Sequence, residues 1–355
     1  MPEGDGSITS RWTWGSNKAT HEIGRLSQVQ SSGKGVEDYL EAYSYDRFGR
    51  LAGARYYEGT NEYSVDQSYS AVSGMPETLT YPVSTSGYRL KLKLGYSHGH
   101  LVHVADFNDP GAVFWSAEET NARGVVTRQT LGNGVTTRLD VDELNGLIGS
   151  ILSSSSDGTP LQGLDYDWDV LGNLLERRDT LQGVSERFGY DSLHRITSAA
   201  IGGMQTRFEY DVLGNLKSKT DTGSYEYDAT RIHQVRRIVQ PGAADRYFEY
   251  DPNGNMTNRM GGEVLWYANN LPKRVRARAG SASNSSEFQY TPGGRRWWHR
   301  YRYGGGIYMH VNIGGLMEKV TKGSTVDFRH SIYANGHPIA LDSRKSSGVN
   351  TVRYL

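Results

Sequence analysis

The sequence predicts an all-β fold built from tandem antiparallel β-hairpins, and three observations predict it. A tyrosine-aspartate turn unit recurs, as YDRFGRL at Tyr45 to Leu51, YDVLGNL at Tyr210 to Leu216 and YDPNGNM at Tyr250 to Met256. The copies are regularly spaced: from Trp168 onward the anchoring aromatics stand at 168, 190, 210, 227, 250, 267 and 290. A period of about 20 residues holds two short strands and two turns, and a fixed period marks a repeat architecture. No stretch carries the periodicity of an amphipathic helix, while 43 glycines supply turn residues.

In the unit at Phe208 to Lys219, Phe208 and Tyr210 share one face of a strand and Glu209 points to the other. Asp211 suits the first turn position, because its carboxylate can accept hydrogen bonds from backbone N–H groups ahead of it. Gly214 stands where a hairpin loop needs a positive φ, which costs other residues about 1–2 kcal/mol. Leu216 restarts the apolar face. Tyr45, Asp46, Gly49 and Leu51 repeat the arrangement, as do Tyr250, Asp251, Gly254 and Asn255, and Asn215 matches Asn255. The expected turn residues of other copies are Tyr166, Asp167, Gly172 and Asn173, Tyr190 with Asp191, and Tyr227 with Asp228. His194 and Arg231 replace the glycine in two copies, which implies strain or another turn geometry there.

Taken in order, residues 1–20 read as a flexible or irregular lead-in and 21–355 as a single elongated repeat domain, less regular over 52–150. Ser153 to Gly158 and Ala279 to Ser286 read as exposed loops. The 39 basic and 39 acidic side chains cancel, so charge offers no drive toward nucleic acid or an anionic membrane. Hydrophobic residues make up 36%, with 24 tyrosines, a composition suited to a thin amphipathic wall whose hydroxyls stay wet. No apolar run reaches the roughly 20 residues of a membrane helix, and no signal peptide is expected. Cysteine is absent, which excludes disulfides and thiolate metal sites.

The motif [YF]xYDxxG[NR]L resembles the tyrosine-aspartate repeat of the Rhs proteins, which include bacterial polymorphic toxins, the B and C subunits of insecticidal toxin complexes, and teneurins. The likeness runs from about Gly24 to Leu355, and Ile332 to Ala340 resembles the stretch leading into the Rhs core. The resemblance implies a curved, spiralling sheet that forms part of a hollow shell, with a C-terminal toxin as cargo and the rest of a larger shell as partner. It implies a secreted or cell-surface setting as part of a larger protein. The self-cleaving core of the family lies beyond Arg353 to Leu355, so self-cleavage is not expected of this chain.

The candidate chemistry is sparse. Asp46, Asp167, Asp191, Asp211, Asp228 and Asp251 could be imagined as the paired carboxylates of a glycosidase, yet each occupies the turn slot of its own repeat, which is a structural role. His98, His100 and His103 form an HxHxxH run, but His98 and His100 fall at variable turn positions and the usual zinc spacings are not met, so no metal and no cofactor is expected. Ser31 to Lys34 matches an SxxK spacing with no partner motif. Arg296, Trp298, Arg300 and Arg302 share one face of a strand and are the candidate ligand-binding residues, able to stack on a sugar or single-stranded nucleic acid. Pairing with the many carboxylates of a polar wall is the expectation set against this. The leading reading is a non-enzymatic shell segment that encapsulates or presents a toxin; the alternative is a cell-surface module that recognises carbohydrate or protein.

Overall fold

Each tyrosine-aspartate unit ends one strand and begins the next, so strands consecutive in sequence become neighbours in space. The computed structural model describes residues 8–33, 36–278 and 284–355. Among these residues 31 strands form one antiparallel sheet, with a single 3-10 turn at Thr85–Gly87 and no α-helix. The strand Met204–Tyr210 pairs with Leu216–Lys219 through Phe208 to Lys219, Glu209 to Ser218 and Tyr210 to Leu216. The register shifts between Glu209 and Tyr210, and it shifts in the same way beside Tyr45, Tyr190, Tyr227 and Tyr250. Such a bulge inserts one residue and re-aims the side chain next to it, so these five repeats deliver their aromatics in the same direction; in the repeat anchored at 267 the shift falls beside Trp266, and Tyr267 opens the turn instead.

Two expectations change. The lead-in contains the strand Thr9–Trp14, which pairs antiparallel with Leu26–Ser32 because its threonines and tryptophans are good strand formers. The stretch 52–150 holds regular paired strands, among them Leu51–Glu58, Asn61–Tyr69 and Lys91–Ser97. Lys34 of the SxxK match and positions 279–283 of the expected Ala279 to Ser286 loop lie outside the described residues.

The packing forms two compact units, Met1–Ser116 with Gly262–Leu355, and Ala117–Gly261. In the first, strands from both ends of the sequence bury a common core. Tyr39, Tyr63, Trp297, Trp298, Val311, Ile313 and Met317 pack together, with Tyr56, Met309 and Phe328 against them. Polar ties join the same two segments: Tyr81 donates to the Ser331 carbonyl at 2.8 Å, and Lys319 pairs with Glu58 at 2.7 Å. The second unit is a sheet whose strands are half-exposed on both faces, and of its described hydrophobic residues Leu131 and Ile238 are buried.

Candidate functional site

The turn geometry accounts for each letter of the repeated motif. At Asp211, Oδ1 accepts from the backbone N–H groups of Leu213 at 2.9 Å and Asn215 at 2.8 Å, and Oδ2 accepts from the Asn215 side-chain amide at 2.9 Å. Asp251 meets the backbone and side chain of Asn255 at 2.8 and 2.9 Å. Where arginine replaces asparagine the contact persists, with Arg50 Nε donating to Asp46 and Arg195 Nε to Asp191, both at 2.7 Å. Gly214 and Gly254 have φ of +85° and +89°, the left-handed conformation that closes a turn followed by a bulge.

The two copies without glycine solve the same problem differently. His194 keeps the positive φ, at 60°, and its ring nitrogen contacts the Asn173 amide at 3.0 Å. At Asp228 the loop is longer: the Asp228 N–H donates to Gln234 O, and the carboxylate accepts from Thr230 and Arg231.

One expected pair is displaced. Asp167 lies inside the strand Pro160–Trp168 opposite Glu176, and Tyr166 lies opposite Arg177, so neither is a turn residue. Asp169 takes the turn, accepting from Leu171 and Asn173 at 2.8 and 2.9 Å, and Trp168 takes the tyrosine position. The physical reason is the distance to Gly172, since the turn needs three residues from aspartate to glycine, as from Asp211 to Gly214.

The aromatic is a latch between repeats, a role the motif alone did not reveal. Tyr210 donates its hydroxyl to Ile196 O, Tyr227 to Leu216 O and Tyr250 to Val235 O, at 3.0, 2.9 and 2.8 Å. Tyr45, Tyr190 and Tyr290 do the same to Leu26, Leu174 and Pro272, and Trp168 uses its indole N–H on Ile148 O. Each acceptor opens the outgoing strand of the preceding repeat. Arginines at the last turn position stack on the next aromatic, Arg50 over Tyr69 at 4.0 Å and Arg195 over Tyr210 at 4.5 Å.

Hydrogen bonding also lowers the pKa of the turn carboxylates. Asp169 is held below the ordinary aspartate value by the Asn173 amide and N–H, and Asp191 by the Arg195 guanidinium. Among the described residues, the acidic groups that depart clearly from their ordinary value all depart downward. A glycosidase acid needs the opposite displacement.

The arginine-tryptophan strand, Arg296–Tyr303, is corrected by its packing. Trp298 is 8% exposed and belongs to the buried cluster, so its ring offers no stacking platform. Arg300 pairs with Glu287, which also meets Arg274 at 3.2 Å, while Arg296 and Arg302 stay exposed. His98 sits in a turn with φ 50°, His103 faces Ser116 Oγ at 3.2 Å, and no group of three metal-ligating side chains gathers among the described residues.

Comparison with solved structures places this geometry. A Photorhabdus luminescens Tc holotoxin pore with a mutated TccC3 superposes with a TM-score of 0.70 at 14% identity, covering 99% of this chain and 21% of that one. The TcdB2-TccC3 crystal structure superposes at 0.68, again at 14% identity, over 99% of this chain and 22% of that one. The chain has the Rhs-repeat shell fold. No family model matches the sequence. Among curated proteins, Double-stranded DNA deaminase toxin A of Burkholderia cenocepacia (strain H111) is 28% identical over 241 residues, 64% of this chain and 15% of that protein. The chain thus spans 21% and 22% of the chains in those two structures and 15% of that curated protein.

Within this Rhs-repeat sheet, the polar network under the first unit's core is absent from any sequence motif. Tyr39 donates to Glu41 at 2.6 Å, and Glu41 is 7% exposed. Burial alone would lower the Arg295 guanidinium, but the nearby Tyr39 and Glu41 outweigh it and hold it raised. Alternation of Tyr39, Glu41 and Tyr43 on one strand was the available signal; its partner Arg295 is over 250 residues away in sequence and carries none.

Proposed function

We propose that this chain is a wall segment of an Rhs-type shell that encloses or presents a toxin or effector, and that it acts without catalysis. The observation that carries the reading is the match of nearly the whole chain to the fold of Tc toxin shell components. The repeat residues fit a wall: the turn aspartates spend their lone pairs on their own loops and the tyrosines latch neighbouring repeats. Side chains satisfied in this way hold a sheet together and leave few groups to grip a passenger. The work is steric and solvational, keeping a passenger apart from its surroundings in a secreted or cell-surface assembly.

The recognition reading loses its anchor with the burial of Trp298. Two assays on the purified chain test the proposal: a glycan array, and incubation with double-stranded DNA followed by sequencing for deaminated bases. No specific glycan binding and no base change are the expected results. Glycan binding that is lost in Arg296→Ala or Arg302→Ala, or deamination by this chain, overturns it.

A further inference from the structure

Behind the buried tryptophans, the opposite face of the same strands carries a row of rings. Phe288 stacks on His299 at 4.8 Å, His299 on Tyr301 at 5.1 Å, and Tyr301 on Tyr308 at 4.7 Å. His299 on Arg296–Tyr303 and His310 on Gly306–Ile313 are directly opposed in the antiparallel register. Their ring centroids are 5.8 Å apart with planes tilted by 41°. The Nε2 atoms of both rings are buried and have no hydrogen-bond partner among the described residues, which is costly for a polar nitrogen unless something is there to bind it.

We propose that His299 and His310 form a two-imidazole clip for a divalent transition-metal ion, with solvent completing the coordination. With metal–nitrogen bonds of about 2.0–2.1 Å, two imidazoles on one ion have ring centres roughly 5–6 Å apart, so the observed pair already has the spacing. Opposed residues on paired strands cannot drift apart without breaking the ladder, which preorganises the ligands.

The neighbouring strand Met317–Lys322 supplies an orienting group. Glu318 Oε1 lies 2.8 Å from His310 Nδ1. With the Nδ1–H of His310 donated to Glu318, the Nε2 lone pair is left as the ligand, the arrangement that orients metal-bound histidines generally. The His310 side chain keeps 19% of its surface exposed, which gives an ion a way in. Imidazole without thiolate selects zinc, nickel or copper over calcium or magnesium.

Titration calorimetry with zinc chloride is expected to show one equivalent in the wild-type chain that disappears in His299→Gln/His310→Gln and persists in His98→Gln/His100→Gln. Glu318→Gln is expected to weaken it by about 10–100-fold. A folded double variant, judged by circular dichroism, that binds zinc as the wild type does overturns the proposal. Electron paramagnetic resonance of the wild type with one equivalent of copper(II) tests it without any variant: coupling to two imidazole nitrogens is expected, and a spectrum with fewer overturns it.

Discussion

A single repeat residue shows how little freedom the motif leaves. Gly214 has open space around its α-carbon, its nearest foreign atom being Arg195 Nη1 at 3.9 Å, so a substitution there is penalised by the backbone conformation alone. Gly214→Val is expected to lose about 1–2 kcal/mol in chemical denaturation, whereas Gly293→Ala, which has no positive φ and meets only Thr291 Oγ1 at 3.8 Å, is expected to be tolerated. Equal losses would contradict the turn assignment. The aspartates give a pH signature. The side chains of Thr230 and Arg236 hold Asp228 below its ordinary value, as Asn173 and Arg195 do for Asp169 and Asp191. Groups lowered on folding stabilise fully above the unfolded value of about 3.9, and the contribution is lost as pH falls through the lower folded values. The melting midpoint should therefore fall from about pH 4 downward, and less steeply in Asp169→Asn/Asp191→Asn/Asp228→Asn. An identical slope in that variant would assign the acid sensitivity elsewhere.

At the level of the element, the hairpin was legible because three chemical demands coincide: an aromatic, a turn carboxylate and a residue tolerant of positive φ. The run Asp165-Tyr166-Asp167-Trp168-Asp169 was misread because it offers two aromatic-aspartate pairs two residues apart, both of which fit strand alternation. Turn length decided between them, and counting back from Gly172 selects Asp169. The latch was not legible, since its acceptor is a backbone carbonyl that any residue carries. Its contribution is measurable. Tyr250→Phe removes the 2.8 Å bond to Val235 O and keeps the ring, so it is expected to cost about 0.5–1.5 kcal/mol. A second latch removed three repeats away, Tyr190→Phe, should add to it nearly independently. No loss in either variant would reduce the tyrosines to space-filling.

Across the whole molecule, the repeat predicted the ladder but not what the first unit buries. Tyr39 and Trp297, with ring centroids 5.2 Å apart, meet across more than 250 residues of sequence, and nothing local marks them as partners. The burial of Trp298 is hidden for the same reason: alternation puts Trp298 on one face with three arginines but does not show that this face is covered. Trp297→Ala is expected to cost about 3–5 kcal/mol, while Val212→Ala, at an exposed turn tip, should stay within about 0.5 kcal/mol. The functional account requires that the sheet shields a neighbour without gripping it. The most direct measurement is protease resistance of a destabilised reporter domain joined after Leu355, compared with the same reporter on an unrelated all-β carrier. The account predicts slower cleavage of the reporter on this chain with no gain in its intrinsic stability; equal cleavage rates on both carriers would contradict it.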